Sequence, residues 1–168
     1  LLRKEWYLRG GLTSMFANCN RGKRSVAIDL QSEVGLEAAY RLCDEADVVF
    51  ENFRPGVMER LKVGPEHLHA RNPGLIYCRI TGYGQTGPWS GKRAYDPVTQ
   101  ATTGYVAIQN NPEVPIPDLV RNALVDKATA YSAAQAVTAA LFAREKGEVG
   151  QTISLSLLDA GLAFFWPD

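Results

Sequence analysis

The chain has 168 residues, in which 18 Lys plus Arg balance 18 Asp plus Glu and histidine occurs twice. That length fits one domain with a sizeable core, and 46% hydrophobic against 21% charged residues is the balance of an ordinary globular protein. A net charge of zero removes the electrostatic case for nucleic acid or an anionic membrane surface as partner.

Residues 1–24 are mixed and dotted with glycine, ending in the basic cluster Asn20-Arg21-Gly22-Lys23-Arg24. Val26–Leu30 has a short strand pattern. Ser32 and Glu33 then open a helix that carries Leu36, Ala39, Tyr40 and Cys43 at helical spacing. Asp47–Glu51 reads as an apolar strand that ends at Asn52-Phe53-Arg54-Pro55-Gly56, followed by short helical pieces at Val57–Leu61 and Pro65–Arg71. Leu75–Thr81 is a further strand. Two βα repeats with short connections predict an α/β fold with a parallel, helix-covered sheet.

Gly82–Pro88 reads as a loop and Asp96–Tyr105 as a helix, and Pro112, Pro115 and Pro117 mark an irregular connection. Lys127–Glu145 is an Ala-rich helix of about 28 Å at 1.5 Å per residue, stopped by Gly147. Thr152–Leu155 reads as a strand, and a last helical pattern runs to Phe165. The chain opens on Leu1-Leu2 without an initiator Met and stops inside that helical pattern, which reads as a piece of a longer protein. No apolar run approaches the roughly 20 residues of a membrane span, and no secretory leader pattern is visible. Cys19, Cys43 and Cys78 are odd in number and widely spaced, as in a reducing compartment, so a cytoplasmic protein is expected.

Several motifs invite a chemical reading. Gly82-x-Gly84-x-x-Gly87 matches a dinucleotide fingerprint in letters, but that motif needs a helix starting within the glycine run to face a pyrophosphate. Pro88, Trp89, Ser90 and Gly91 follow instead, and no acidic residue stands about 20 positions on. A Gly-rich surface loop is the better reading. His67 and His69, two apart on a short helix, point to different sides and do not form a metal pair; surface histidines are expected.

Arg54 and Arg60 flank the helix after the second strand, where open α/β sheets bind ligands and helix N-termini attract anions. Asn52 and Phe53 could offer an amide and a flat ring to a nucleotide there. Asp126 follows Ala123-Leu124-Val125 and directly precedes the long helix. The simplest role for it is an N-cap, accepting backbone N–H groups. Those amides and the helix dipole would favour the ionised form, which a carboxylate nucleophile needs.

Four segments in order resemble the class III CoA-transferases, the CaiB/BaiF family. They are Asn20-Arg21-Gly22-Lys23-Arg24-Ser25-Val26-Ala27-Ile28-Asp29-Leu30, Ala46–Val57, Gly82–Pro88, and Leu124-Val125-Asp126 leading into the Ala-rich helix and Glu145-Lys146-Gly147. The resemblance implies a Rossmann-like parallel sheet within an interlocked fold. Residues 1–168 would form part of the large, coenzyme A-binding domain, without its N-terminal start and without the small C-terminal domain. The implied activity is transfer of coenzyme A between an acyl-CoA thioester and a small carboxylic acid, through aspartyl anhydride and aspartyl-CoA intermediates on Asp126. The partial chain need not be active by itself.

Coenzyme A, as carrier and substrate, would be met by Ile28, Gln31, Asn52, Phe53, Arg60 and Arg93, with Tyr95 and Asp96 in the substrate pocket and no metal. Gln31 stands where a basic residue can occur, and Arg93 where a lysine can occur. The full-length protein would be an interlocked homodimer without nucleic-acid or membrane partners. Racemases of the same fold carry a histidine–aspartate pair where this chain has Tyr95-Asp96, and a tyrosine of reference pKa near 10 is a poor base at neutral pH. Transferase is therefore preferred over the alternatives, an acyl-CoA racemase or isomerase, or a non-catalytic module that binds coenzyme A.

Overall fold

The computed structural model describes residues 8–109, 111–114 and 116–166, and the side chains among them from Gly10 onward. Five strands and eight helices follow one another among these residues: β1 (Leu8–Arg9), β2 (Leu12–Thr13), α1 (Ser14–Cys19), α2 (Glu33–Asp44), β3 (Val48–Glu51), α3 (Val57–Arg60), α4 (Pro65–Arg71), β4 (Ile76–Thr81), α5 (Asp96–Thr102), α6 (Tyr105–Ile108), α7 (Leu124–Glu145), β5 (Thr152–Ser156) and α8 (Leu157–Phe165). Strands β1 and β2 form a small antiparallel pair. The other three make a parallel sheet in the order β3-β4-β5.

Strand β4 lies at the centre of that sheet, and its alternation sets the layers. Ile76 and Cys78 point to one face, where Ala133, Val137 and Ala140 of α7 close over them with Ile153 and Leu155 of β5. Tyr77 points to the other face and, with Leu75 and Leu68, packs against Tyr40, Cys43 and Val49. Leu75, Ile76, Tyr77 and Cys78 are fully buried. The sheet is therefore covered on both sides by helices, as the two βα repeats predict. The small side chains of α7 let its backbone ride close to the strands.

The helix starting at Ser32 forms as the sequence predicts, because Ser32 Oγ accepts the Gly35 N–H at 3.0 Å. Three expectations are corrected. Residues 26–30 form no strand: the segment finds no neighbouring strand to bond with, and Val26 is 64% exposed. The helix expected over 96–105 is broken, because Gly104 adopts a left-handed φ of 85° and restarts the chain as α6. The long helix begins at Leu124 rather than Lys127. Burying Val125 completely against α8 pulls the apolar residues into the first turn; a Cβ built on Gly161 would lie 3.4 Å from Val125 Cγ1. Pro115 lies outside the described residues.

Candidate functional site

The C-terminal ends of β3 and β4 open onto a pocket of about 510 Å³. Ligands bind at such strand ends in open α/β sheets. One wall is the β3–α3 loop, Asn52 to Pro55, and the opposite wall is Ser90 to Asp96 leading into α5. The first two turns of α7 and the start of α8 close it with Asp126, Thr129, Ala130 and Leu157, over Ile80 and Thr81 of β4.

Gly82 lets these walls meet. A Cβ there would sit 2.2 Å from the Ala94 Cβ, so only glycine fits where the end of β4 crosses the 90–96 segment. The glycine run after β4 is a loop, as expected from Pro88 and its neighbours. Its Tyr83 and Trp89 rings pack edge to face at 5.4 Å, and Lys92 Nζ lies 4.3 Å from the Trp89 ring centre.

Asp126 is the third residue of α7 and not its N-cap, which corrects the sequence reading. The capping position is Ala123, which has no side chain able to accept a bond. The acceptor comes from another helix: Asp96 Oδ2 takes the Asp126 backbone N–H at 2.9 Å. That bond leaves the Asp126 side chain free to face the pocket. Burial raises the pKa of the Asp126 carboxyl above the ordinary value of 3.8, and the neighbouring Asp96 carboxylate raises it further. The expectation that helix amides make this group readily ionised is thus also corrected.

Of the residues singled out from sequence, Asn52, Phe53, Arg93, Tyr95, Asp96 and Asp126 line this one pocket. Phe53 is 52% exposed and offers its ring to solvent, as does Tyr95. Arg54, Lys92 and Arg93 bring three cations to the same rim, and among the described residues neither Arg54 nor Arg93 has a carboxylate partner. Ile28, Gln31 and Arg60 do not line it. Ile28 and Gln31 belong to the loop before α2, where the Gln31 N–H is held by Asp29 Oδ1 at 3.0 Å. Arg60, at the end of α3, folds back so that its Nη1 lies 4.0 Å from a Cβ built on Gly56. His67 is exposed, whereas His69 is partly buried with Nε2 3.1 Å from the Leu75 carbonyl oxygen, so only one of the two is a surface histidine. Among the described residues no cluster of His, Cys, Asp or Glu could hold a metal ion, and no helix is long and apolar enough to cross a membrane.

Two residues that hold the Asn52–Phe53 wall have no sequence signal. Glu51, at the end of β3, is 6% exposed, and its Oε2 accepts the Phe53 N–H at 2.8 Å. Arg79, directly opposite in the β4 register, lies 3.4 Å from Glu51 Oε1 and donates to Glu59 Oε1 of α3 at 2.6 Å. Strand β3, strand β4 and helix α3 are thereby tied around the loop between them. A short apolar run ending in Glu looks from sequence like a strand meeting solvent. The pairing with Arg79 appears only once β3 and β4 lie side by side.

A family model described as CoA-transferase family III matches residues 3–168. The chain is 42% identical over 154 residues to "Probable fatty acyl-CoA transferase Rv3272" of Mycobacterium tuberculosis, covering 92% of this chain and 39% of that protein. A crystal structure of Rv3272 superposes with a TM-score of 0.82 at 41% identity, over 88% of this chain and 41% of that one. A CaiB/BaiF family protein from Brucella suis superposes with a TM-score of 0.89 at 35% identity, over 96% of this chain and 44% of its own. The mouse "Alpha-methylacyl-CoA racemase" is 38% identical over 151 residues, covering 87% of this chain and 39% of the racemase. The chain thus spans about two fifths of the length of the curated relatives it matches.

Proposed function

The chain belongs to CoA-transferase family III, and from that premise we propose that it is part of an enzyme that moves coenzyme A from an acyl-CoA thioester to a carboxylic acid, with Asp126 as nucleophile. A carboxylate oxygen of Asp126 attacks the thioester carbonyl. The C–S bond breaks, a mixed anhydride forms and CoA thiolate leaves. The thiolate attacks the aspartyl carbonyl of that anhydride, freeing the first acid as its carboxylate and leaving an Asp126–CoA thioester.

The acceptor carboxylate attacks this thioester, forming a second mixed anhydride and releasing CoA thiolate again. Attack of the thiolate on the acyl carbon yields the new acyl-CoA and restores the Asp126 carboxylate. Every intermediate is an activated acyl group, so no nucleoside triphosphate is needed. The covalent relay divides one difficult exchange into easier steps.

The observation that carries this reading is a carboxylate of raised pKa opening onto the pocket that Asn52, Phe53 and Arg93 also line. A raised pKa makes the ionised oxygen a better nucleophile, at the cost of a smaller ionised fraction in acid. In this reading Asn52 and Phe53 support the coenzyme on one wall, while Arg54 and Arg93 meet its anionic groups. Tyr95 borders the space for the acid. Ile28, Gln31 and Arg60 would meet the coenzyme beyond the pocket.

Replacing Asp126 with Asn in the full-length protein is expected to abolish exchange between an acyl-CoA and a free acid, followed by chromatography of the thioesters. Undiminished turnover would end the mechanism. A relative named a racemase favours a second reading, in which the same fold inverts or isomerises an acyl-CoA. That reading predicts solvent deuterium entering the α-carbon with no acceptor acid present. Tyr95 stands where the resemblance places the racemases' histidine base, so transfer is preferred.

A further inference from the structure

We propose that Gln100, a side chain sealed inside the protein and absent from the pocket wall, is a positioning residue that aims the Asp126 carboxylate by binding Asp96 and residues 120–122 into one unit. The inference rests on Asp126 being the nucleophile.

Gln100 is fully buried on α5, one turn beyond Asp96. Its Nε2 donates to Asp96 Oδ1 at 2.5 Å and to the carbonyl oxygens of Val120 and Asn122 at 3.2 and 3.1 Å. Its Oε1 accepts the Val120 N–H at 3.0 Å. The other Asp96 oxygen accepts the Asp126 N–H. A continuous path of hydrogen bonds therefore runs from the 120–122 segment through one amide and one carboxylate to the backbone of Asp126.

This path replaces what the helix lacks. Ala123 cannot cap α7, so the position of its first turn depends on a cap supplied by α5. Asp96 can serve only while its own rotation is fixed, and Gln100 fixes it by engaging Oδ1. The same amide anchors the chain entering α7. A carboxamide is suited to the task because it donates to Asp96 and accepts from Val120 through adjacent atoms. An apolar side chain of equal length would leave Asp96 Oδ1 and the Val120 N–H buried without partners.

Loss of the amide should displace the nucleophile while leaving the walls that hold coenzyme A in place. Misplacing a reacting group by about 1 Å can cost on the order of 100-fold in rate. In the full-length protein, Gln100→Met is expected to lower kcat by about tenfold or more while KM for the acyl-CoA stays within about twofold. A folded Gln100→Met variant with wild-type kcat overturns the inference, whatever its melting temperature.

Should that variant fail to fold, Asp96→Asn carries the test. It keeps the shape but turns one acceptor into a donor that faces either the Gln100 amide or the Asp126 N–H. The same split between kcat and KM is expected, and an unchanged kcat overturns the inference. Failure of this inference alone is recognisable: Asp126→Asn is inactive while Gln100→Met turns over normally. An Asp126→Asn variant that still exchanges would remove the nucleophile and this inference together.

Discussion

Asp126 carries opposing demands in a single side chain. Partial burial and the Asp96 carboxylate disfavour its charged form, so its pKa lies above 3.8 in the folded protein. A carboxyl that holds its proton more tightly when folded stabilises the fold below the unfolded pKa, and that contribution is lost as pH rises through the folded pKa. Asp126→Asn is therefore expected to melt higher than the wild type at neutral pH, with the gap closing as the pH falls towards 3.8. Thermal melts across that range check it, and a variant less stable than wild type at neutral pH would contradict it. In the proposed mechanism the ionised form is the reactive one. The acid limb of single-turnover acyl transfer should thus lie above the ordinary carboxylate range, and a limb at or below 3.8 would show that another group limits the rate.

The elements around the pocket are held by close approach and by a buried ion network. Gly82→Ala would drive a methyl into the Ala94 Cβ, at a cost of about 1–3 kcal/mol. Adding Ala94→Gly should restore most of that loss in denaturant titrations; additive losses would show that the two residues do not meet as described. Glu51→Ala would leave Arg79 with one anionic partner and the Phe53 N–H without its acceptor. Breaking such a buried pair costs roughly 3–5 kcal/mol, whereas Glu59→Ala, with a side chain 43% exposed, should cost about 0–1 kcal/mol. Equal losses for the two would contradict the network.

What the sequence made legible at this scale was local. Ser32 before an apolar period of 3.6 marked α2, and short apolar runs bounded by Pro, Gly and Asn marked β3 and β4. The start of α7 is hidden from the sequence because its cap is not its neighbour: it comes from Asp96, thirty positions away. Val26–Leu30 has strand-like alternation, but a strand needs a partner that propensity cannot supply. Glu51 and Arg79 meet only once β3 and β4 lie side by side. Gln100, although one turn from Asp96 on α5, makes its other bonds to Val120 and Asn122 in a distant segment that spacing does not reveal. Asn52, Phe53 and Asp126 stand out by their places at a strand end and a helix start, Arg93 only through the family resemblance, and the fold brings all four to one pocket.

Across the whole molecule, zero net charge conceals an uneven distribution. Arg54, Lys92 and Arg93 gather at the pocket rim, and none of the three has a carboxylate partner among the described residues. An anionic acyl-CoA would be drawn by this local field and not by the protein as a whole, over a Debye length of about 10 Å at 0.1 M salt. If the full-length protein has the proposed activity, its KM for acyl-CoA should therefore rise with ionic strength while kcat changes little. A KM indifferent to salt would argue that these cations do not meet the substrate.

A covalent bond at Asp126 can be caught by chemical trapping. Full-length protein is incubated with an acyl-CoA and hydroxylamine, digested, and its peptides weighed by mass spectrometry. A hydroxamate on Asp126, formed only when acyl-CoA is present, is the expected product. Transfer that proceeds while Asp126 stays unmodified, with the hydroxamate on another carboxyl or on none, would contradict a covalent role for Asp126.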